Sequence, residues 1–234
     1  MLEQPQYYQF TRSDVSEFLP KYYEKVLDIG CGEGHFKRNL NESCEIWGIE
    51  PTNAANVASK NLYKVLNGYY QDVYDELPDN YFDLVVCNDV IEHMNDHDKF
   101  LKSIQKKITE NGCIVGSIPN VRYIYNLYEL MVNKEWFYDD SGVLDRTHLR
   151  FFTEKSLTRT LNEHGYLIEK LRGINSELTK PLSFNIIKHK LLKAIVKRAL
   201  LLFVIVGTFG FWSDVQYLQF AFRIKKQKSM EDRL

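Results

Sequence analysis

The stretch VLDIGCGEGHF, residues 26–36, sets the reading of the whole chain. A strand-favouring run carrying Asp28 enters a turn in which Gly30, Gly32 and Gly34 fall at every second position. Glycine at such a turn permits left-handed backbone and close approach of a ligand to the main chain. The glycines alone leave three ligands open: a dinucleotide, a nucleotide phosphate and S-adenosylmethionine. A dinucleotide turn reads G-x-G-x-x-G, and His35 stands where its third glycine belongs; no G-x-x-x-x-G-K-[ST] phosphate loop occurs either.

Outward from this turn, strand-like runs cover 25–30, 44–50, 81–88, 113–119, 166–173 and 215–224, with a weaker one at 61–66. Helical patterns fill the gaps at 34–41, 53–60, 97–108, 122–134 and 153–164. Strands separated by helix-length segments predict parallel βαβ units covered on both faces, an open doubly wound α/β sheet. The last strand follows a helical apolar insertion and alternates more openly, as an antiparallel addition does. Ligands of such sheets sit beyond the carboxyl ends of the strands at the switch point. The glycine turn is there, with Glu50, Asn88–Asp89 and Pro119–Asn120 at the ends of other strands.

Glu50 ends the second strand, 20 residues after Gly30, where a carboxylate accepts hydrogen bonds from a ribose. With VLDIGCGEG, WGIEP and FDLVVCNDVIEHM on the page, the chain resembles the class I S-adenosylmethionine-dependent methyltransferases over about 25–174 and 215–226. SIPNVRYIYNLYEL and GVLDRTHLRFFTEKSL further resemble a subgroup associated with surface-polysaccharide synthesis. The resemblance implies a seven-stranded, mostly parallel sheet with its last strand antiparallel. It implies S-adenosylmethionine as cofactor, with S-adenosylhomocysteine as product. Asp28, Gly30, Cys31 and Gly32 would frame the methionine portion, and Glu50 and Pro51 the ribose. Asp72 and Val73 would meet the adenine, and Asn88 the methionine amino end. The stretch NGYYQDVYDELPDN lacks the family's commonest Gly-Asp pair, which sets Asp72 apart from the other assignments.

Methyl transfer to a hydroxyl needs in-line alignment, worth on the order of 7–11 kcal/mol, and removal of a proton. Histidine is the usual base because it titrates near working pH. His148, in DRTHLRFF, is the favoured general base, and His93, in IEHM, its competitor. Asp145 and Arg146 precede His148 and are placed to orient it or bind acceptor hydroxyls. Asn120, Tyr123, Tyr125 and Tyr128 are expected around the acceptor, and Tyr7, Tyr8 and Arg12 in an N-terminal lid. His35, His97, His164 and His189 lack acidic context and read as solvated or capping. Asp89, Glu92 and His93 approach a ligand set for a metal, but one helical turn explains them, so no metal is assigned.

With 44% hydrophobic and 26% charged residues and a net charge of −1, the composition is that of a soluble globular protein without the basic field of a nucleic-acid binder. Cys31, Cys44, Cys87 and Cys113 form no CxxC pair and read as reduced, buried thiols. No basic patch precedes an apolar stretch at the N-terminus, so no signal peptide is expected and the location is cytoplasmic. The organisation predicted is a lid at 1–24, the core at 25–174, a basic and apolar helical insertion at 175–213, and a final strand with a polar tail at 214–234. Within 187–212, five Lys and Arg residues precede an uncharged run, Ala199–Trp212. That run is shorter than the ~20 residues of a membrane-spanning helix. Contact with the membrane interface, packing in a core, and a homodimer surface all remain open, the first giving a peripheral hold on the inner membrane face.

The leading expectation is O-methylation of a sugar or glycan hydroxyl. A lipid, quinone or amine acceptor is the second reading. A non-catalytic module in a membrane-associated glycan complex is the third.

Overall fold

The computed structural model describes residues 12–179, 188–210 and 212–227, so Tyr7 and Tyr8 of the expected lid lie outside the described residues. Seven strands form: β1 Lys25–Ile29, β2 Glu45–Glu50, β3 Lys64–Asn67, β4 Phe82–Asn88, β5 Ile108–Pro119, β6 Tyr166–Ser176 and β7 Tyr217–Lys226. They make one sheet in the order β3-β2-β1-β4-β5-β7-β6, six strands parallel and β7 antiparallel. The expected fold class is the one observed. The order reverses between β1 and β4, which places the switch point at the end of β1.

Burial explains which runs became central strands. Val26 and Leu27 of β1, Leu84, Val85 and Val86 of β4, and Val115 of β5 are wholly buried, as strands covered on both faces require. The parallel register pairs Asp28 with Gly48 on one side and with Val86 on the other. The carboxyl ends of β1, β2 and β4 therefore finish level, at Gly30, Glu50 and Asn88.

The helices are α1 Ala55–Ala58, α2 His97–Ser103, α3 Ile124–Tyr128, α4 Glu154–Glu163 and α5 Lys188–Gly207. Asp96 caps α2, its Oδ1 accepting from Lys99 N at 2.8 Å. Before α4, Thr153 Oγ1 accepts from Ser156 N and Ser156 Oγ from Thr153 N, a reciprocal cap.

Four expected helices are shorter than predicted, among them 53–60, of which α1 keeps Ala55–Ala58. The 34–41 pattern is a 3-10 turn, His35–Asn39, because Gly34 enters it at φ +80°. The 97–108 pattern breaks at Ile104–Lys106 because β5 begins at Ile108, five residues before the expected strand. The 122–134 pattern is α3 followed by a π turn, Glu129–Asn133, that ends at Lys134 with φ +56°.

Two compact units divide the chain. The first takes residues up to Ile118, Thr158–Leu171 and Ala221 onward; the second takes Pro119–Leu157 and Arg172–Phe220.

Candidate active site

The first unit holds the glycine turn. Gly30, Gly32 and Gly34 adopt φ of +70°, +54° and +80°, a region that L side chains resist. Gly30 N and Cys31 N both donate to Ile49 O, which folds the turn back over β2. Gly48 makes room for that fold: a Cβ there would stand 2.6 Å from Cys31 Sγ and 2.8 Å from Leu62 Cδ1.

The turn delivers Gly32 N to Glu50, whose Oε2 accepts from it at 2.9 Å. The other oxygen, Oε1, accepts from Thr52 N at 3.0 Å and Thr52 Oγ1 at 2.7 Å. A carboxylate offers about four acceptor positions, so these three bonds leave capacity for a ligand hydroxyl while fixing the rotamer. Thr52 is a member of this site that the sequence reading missed. Its signal is a hydroxyl residue two positions after a strand-end acid.

Asp28 is 4% exposed, and burial, with the Glu50 charge adding, pushes its carboxyl up to about 8. Burial, and then the charges of Asp28 and Glu50, also raise the Cys31 thiol, which makes that sulfur a poor nucleophile. Asn88 Oδ1 is buried and has no hydrogen-bond partner among the described residues, so it presents an unused acceptor at the end of β4. Pro51 and Asp72 are exposed, and Val73 is buried in the turn after β3. A left-handed glycine turn, a braced carboxylate and an orphan amide oxygen at level strand ends fit the expected S-adenosylmethionine. Glu50 would accept from a hydroxyl of its ribose, and the Asn88 oxygen would accept from its ammonium group.

Beside this site Arg12 bonds Asp89 through Nη1 and Ser117 Oγ through Nη2, the latter at 2.9 Å. Ser117 Oγ donates to Asp89 Oδ1 at 2.9 Å, closing a triangle. Arg12 is thus tied to the ends of β4 and β5. Glu92 is buried, and His93 follows it in the 3-10 turn Ile91–His93. The other histidines do have acidic partners: His35 Nε2 lies 3.0 Å from Glu33, and His164 Nε2 3.0 Å from Asp98. His164 also caps α4, its Nδ1 lying 2.7 Å from Thr160 O in the last turn of that helix. The His189 side chain lies outside the described residues.

The second unit holds His148, which is 8% exposed. Its Nδ1 is 2.9 Å from Val143 O; a carbonyl can only accept, so Nδ1 carries the proton and Nε2 is the basic nitrogen. Asp145 does not orient the ring through this bond. Its Oδ1 accepts from Thr147 N and Thr147 Oγ1, holding the turn that carries His148. Arg146 is exposed and pairs with Asp140 at 2.9 Å.

Asn120 is fully buried, donating to Asp214 O and Tyr217 O and accepting from Arg122 N. Tyr123 is buried and donates to Glu177 Oε2 at 2.6 Å, and Tyr125 donates to Oε1 of the same residue. Burial, then the bond to Glu177, raises the Tyr123 hydroxyl well above its ordinary value. Tyr128 is 52% exposed. Glu177 and Asp214 lie far along the chain from these partners, and no local pattern announces them.

A family model described as a methyltransferase domain matches residues 4–171. The mitochondrial ubiquinone biosynthesis O-methyltransferase of Schizosaccharomyces pombe is 28% identical over 160 residues, 64% of this chain and 58% of that protein. The ubiquinone biosynthesis O-methyltransferase of Rickettsia canadensis is 26% identical over 165 residues, 67% of this chain and 68% of that one. The chain thus spans between 58% and 68% of the length of these two relatives. Among solved structures, a SAM-dependent methyltransferase from Archaeoglobus fulgidus superposes with a TM-score of 0.58 at 20% identity, covering 87% of this chain and 86% of the other. A SAM-dependent methyltransferase from Thermotoga maritima, described as a possible histamine N-methyltransferase, gives 0.59 at 20% identity over 94% and 89%. At such identity the structural likeness speaks to the fold.

Proposed function

The chain belongs to the methyltransferase-domain family and is an S-adenosylmethionine-dependent methyltransferase, and from that premise we propose that it methylates a ring hydroxyl of a quinone-type acceptor. The observation that carries this acceptor class is the likeness to ubiquinone biosynthesis O-methyltransferases. The glycan hydroxyl expected from the sequence finds no counterpart among those relatives.

When bound, S-adenosylmethionine supplies an electrophilic methyl group on a sulfonium and is left as S-adenosylhomocysteine. Glu50, braced by Gly32 and Thr52, offers its remaining acceptor position to a ribose hydroxyl without having to reorganise. The main chain at Gly30–Gly32 admits the methionine portion, and Asn88 Oδ1 accepts from its ammonium group. His148 takes the acceptor's hydroxyl proton on Nε2, with Val143 O holding the ring in the tautomer that can do so. His93 is kept as the second candidate for that proton.

The test is turnover of catechol and hydroquinone acceptors against free sugars and glycosides. Methylated phenol supports the proposal; methylated sugar with untouched phenol overturns it. His148→Ala is expected to reduce kcat by about 10²–10⁴-fold while S-adenosylmethionine affinity by calorimetry stays at the wild-type value. An equal loss of cofactor affinity removes His148 from the role of base.

A further inference from the structure

The insertion between β6 and β7 carries a surface that methyl transfer does not use. Helix α5 runs from Lys188 to Gly207 in the second unit. Leu201 is 3% exposed and sits against protein. On the same helix Ile195, Leu202, Phe203 and Val206 are all exposed, and Phe209, just beyond its end at φ +52°, is completely exposed. Residues 195, 202 and 206 follow one another at spacings of seven and four, one stripe of the helix, with Phe203 next to it and Phe209 beyond the helix end. A contiguous row of large aliphatic and aromatic side chains in water marks a docking surface.

The charge along the segment says what docks. Between Glu177 and Asp214 there is no Asp or Glu, while Lys180, Lys188, Lys190, Lys193, Lys197 and Arg198 lie there. The sequence places these cations before α5 and within its first eleven positions, and Leu202, Phe203 and Val206 follow them. A cationic start followed by an apolar face is the pattern that lies in the plane of an anionic bilayer: cations at the phosphates, apolar side chains among the upper acyl carbons. No described helix is long and apolar enough to cross a membrane.

We infer that α5 docks this enzyme onto the surface of an anionic phospholipid membrane, with Phe203, Val206 and Phe209 as the inserted side chains. The inference stands apart from the acceptor class proposed above, since it rests on residues that take no part in cofactor binding or proton removal.

The full chain is sedimented with vesicles of phosphatidylcholine alone and with vesicles that also contain phosphatidylglycerol. The wild-type chain is expected to pellet with the second and much less with the first, and added salt weakens that binding. The double variant Phe203→Glu/Val206→Glu is expected to lose at least about tenfold in partitioning, with wild-type thermal midpoint and S-adenosylmethionine affinity because both sites are exposed. The triple variant Lys190→Gln/Lys193→Gln/Lys197→Gln is expected to lose the preference for the anionic vesicles. Three results overturn the inference: no pelleting of the wild-type chain with anionic vesicles, undiminished pelleting of the double variant, or a dimer in light scattering that the double variant converts to monomer without any vesicle binding. The last of these makes the stripe an interface between two copies.

Discussion

Asp28 couples the cofactor turn to pH. Its carboxyl is held at about 8 by burial beside Glu50, against about 3.9 in an unfolded chain. Between those values the folded chain keeps a proton that the unfolded chain has released. The stabilising contribution of the protonated group is therefore fully present below ~3.9 and is lost as pH rises through about 8. Asp28→Asn cannot ionise, so its stability lacks this component of slope. Urea midpoints for wild type and variant are expected to move apart from pH 5 to pH 8, the variant gaining with rising pH. Parallel curves contradict the assignment. Glu50 works differently, because Gly32 N and Thr52 compensate its charge through hydrogen bonds. Removing it takes away both the proposed ribose acceptor and the partner of a buried amide.

At the scale of elements, Asn120 shows how a side chain at the end of a strand can be committed to architecture. Its two donors reach Asp214 O at 2.9 Å and Tyr217 O at 3.0 Å, and its oxygen accepts from Arg122 N. Asn120→Ala leaves these groups unpartnered where water cannot reach. A cost of about 2–4 kcal/mol is expected by urea unfolding. The KM for an acceptor in the folded fraction is expected near the wild-type value, and a KM effect without loss of stability contradicts the structural role.

The contrast between Asn120 and Glu50 explains what was legible in the sequence. Glu50, Gly30 and Gly32 belong to strand–turn chemistry that a local window displays, and the buried runs of β1 and β4 announce themselves as uninterrupted apolar segments. Asn120 looks identical from within its own window, but its partners lie 94 and 97 residues away, and only the sheet order brings β7 beside β5. The same holds for Glu177 under Tyr123 and for Ser117 between Arg12 and Asp89. Helix lengths failed for a local reason: a glycine at φ +80° and an early β5 each shorten a periodicity that hydrophobic spacing alone would continue.

At the scale of the molecule, the residues assigned to the cofactor all fall in the first unit: Asp28, Gly30, Glu50 and Asn88 stand on β1, β2 and β4 or their ends. The second unit contributes His148, the tyrosines over Glu177, and α5. Ligand binding stabilises what it contacts, by about 2.7 kcal/mol at a concentration one hundred times Kd. Hydrogen exchange with and without S-adenosylmethionine is therefore expected to slow amides of 28–34, 50–52 and 88–89. The amides of Gly32 and Thr52, which brace Glu50, should lead that group. Within Arg172–Phe220 the change is expected to be small, because its strand bonds, such as Glu177 N to Gln216 O, are made without the cofactor. Equal protection of both units would mean that binding organises the chain as one cooperative body. The assignment of the cofactor to three neighbouring strand ends would then describe only part of what it holds.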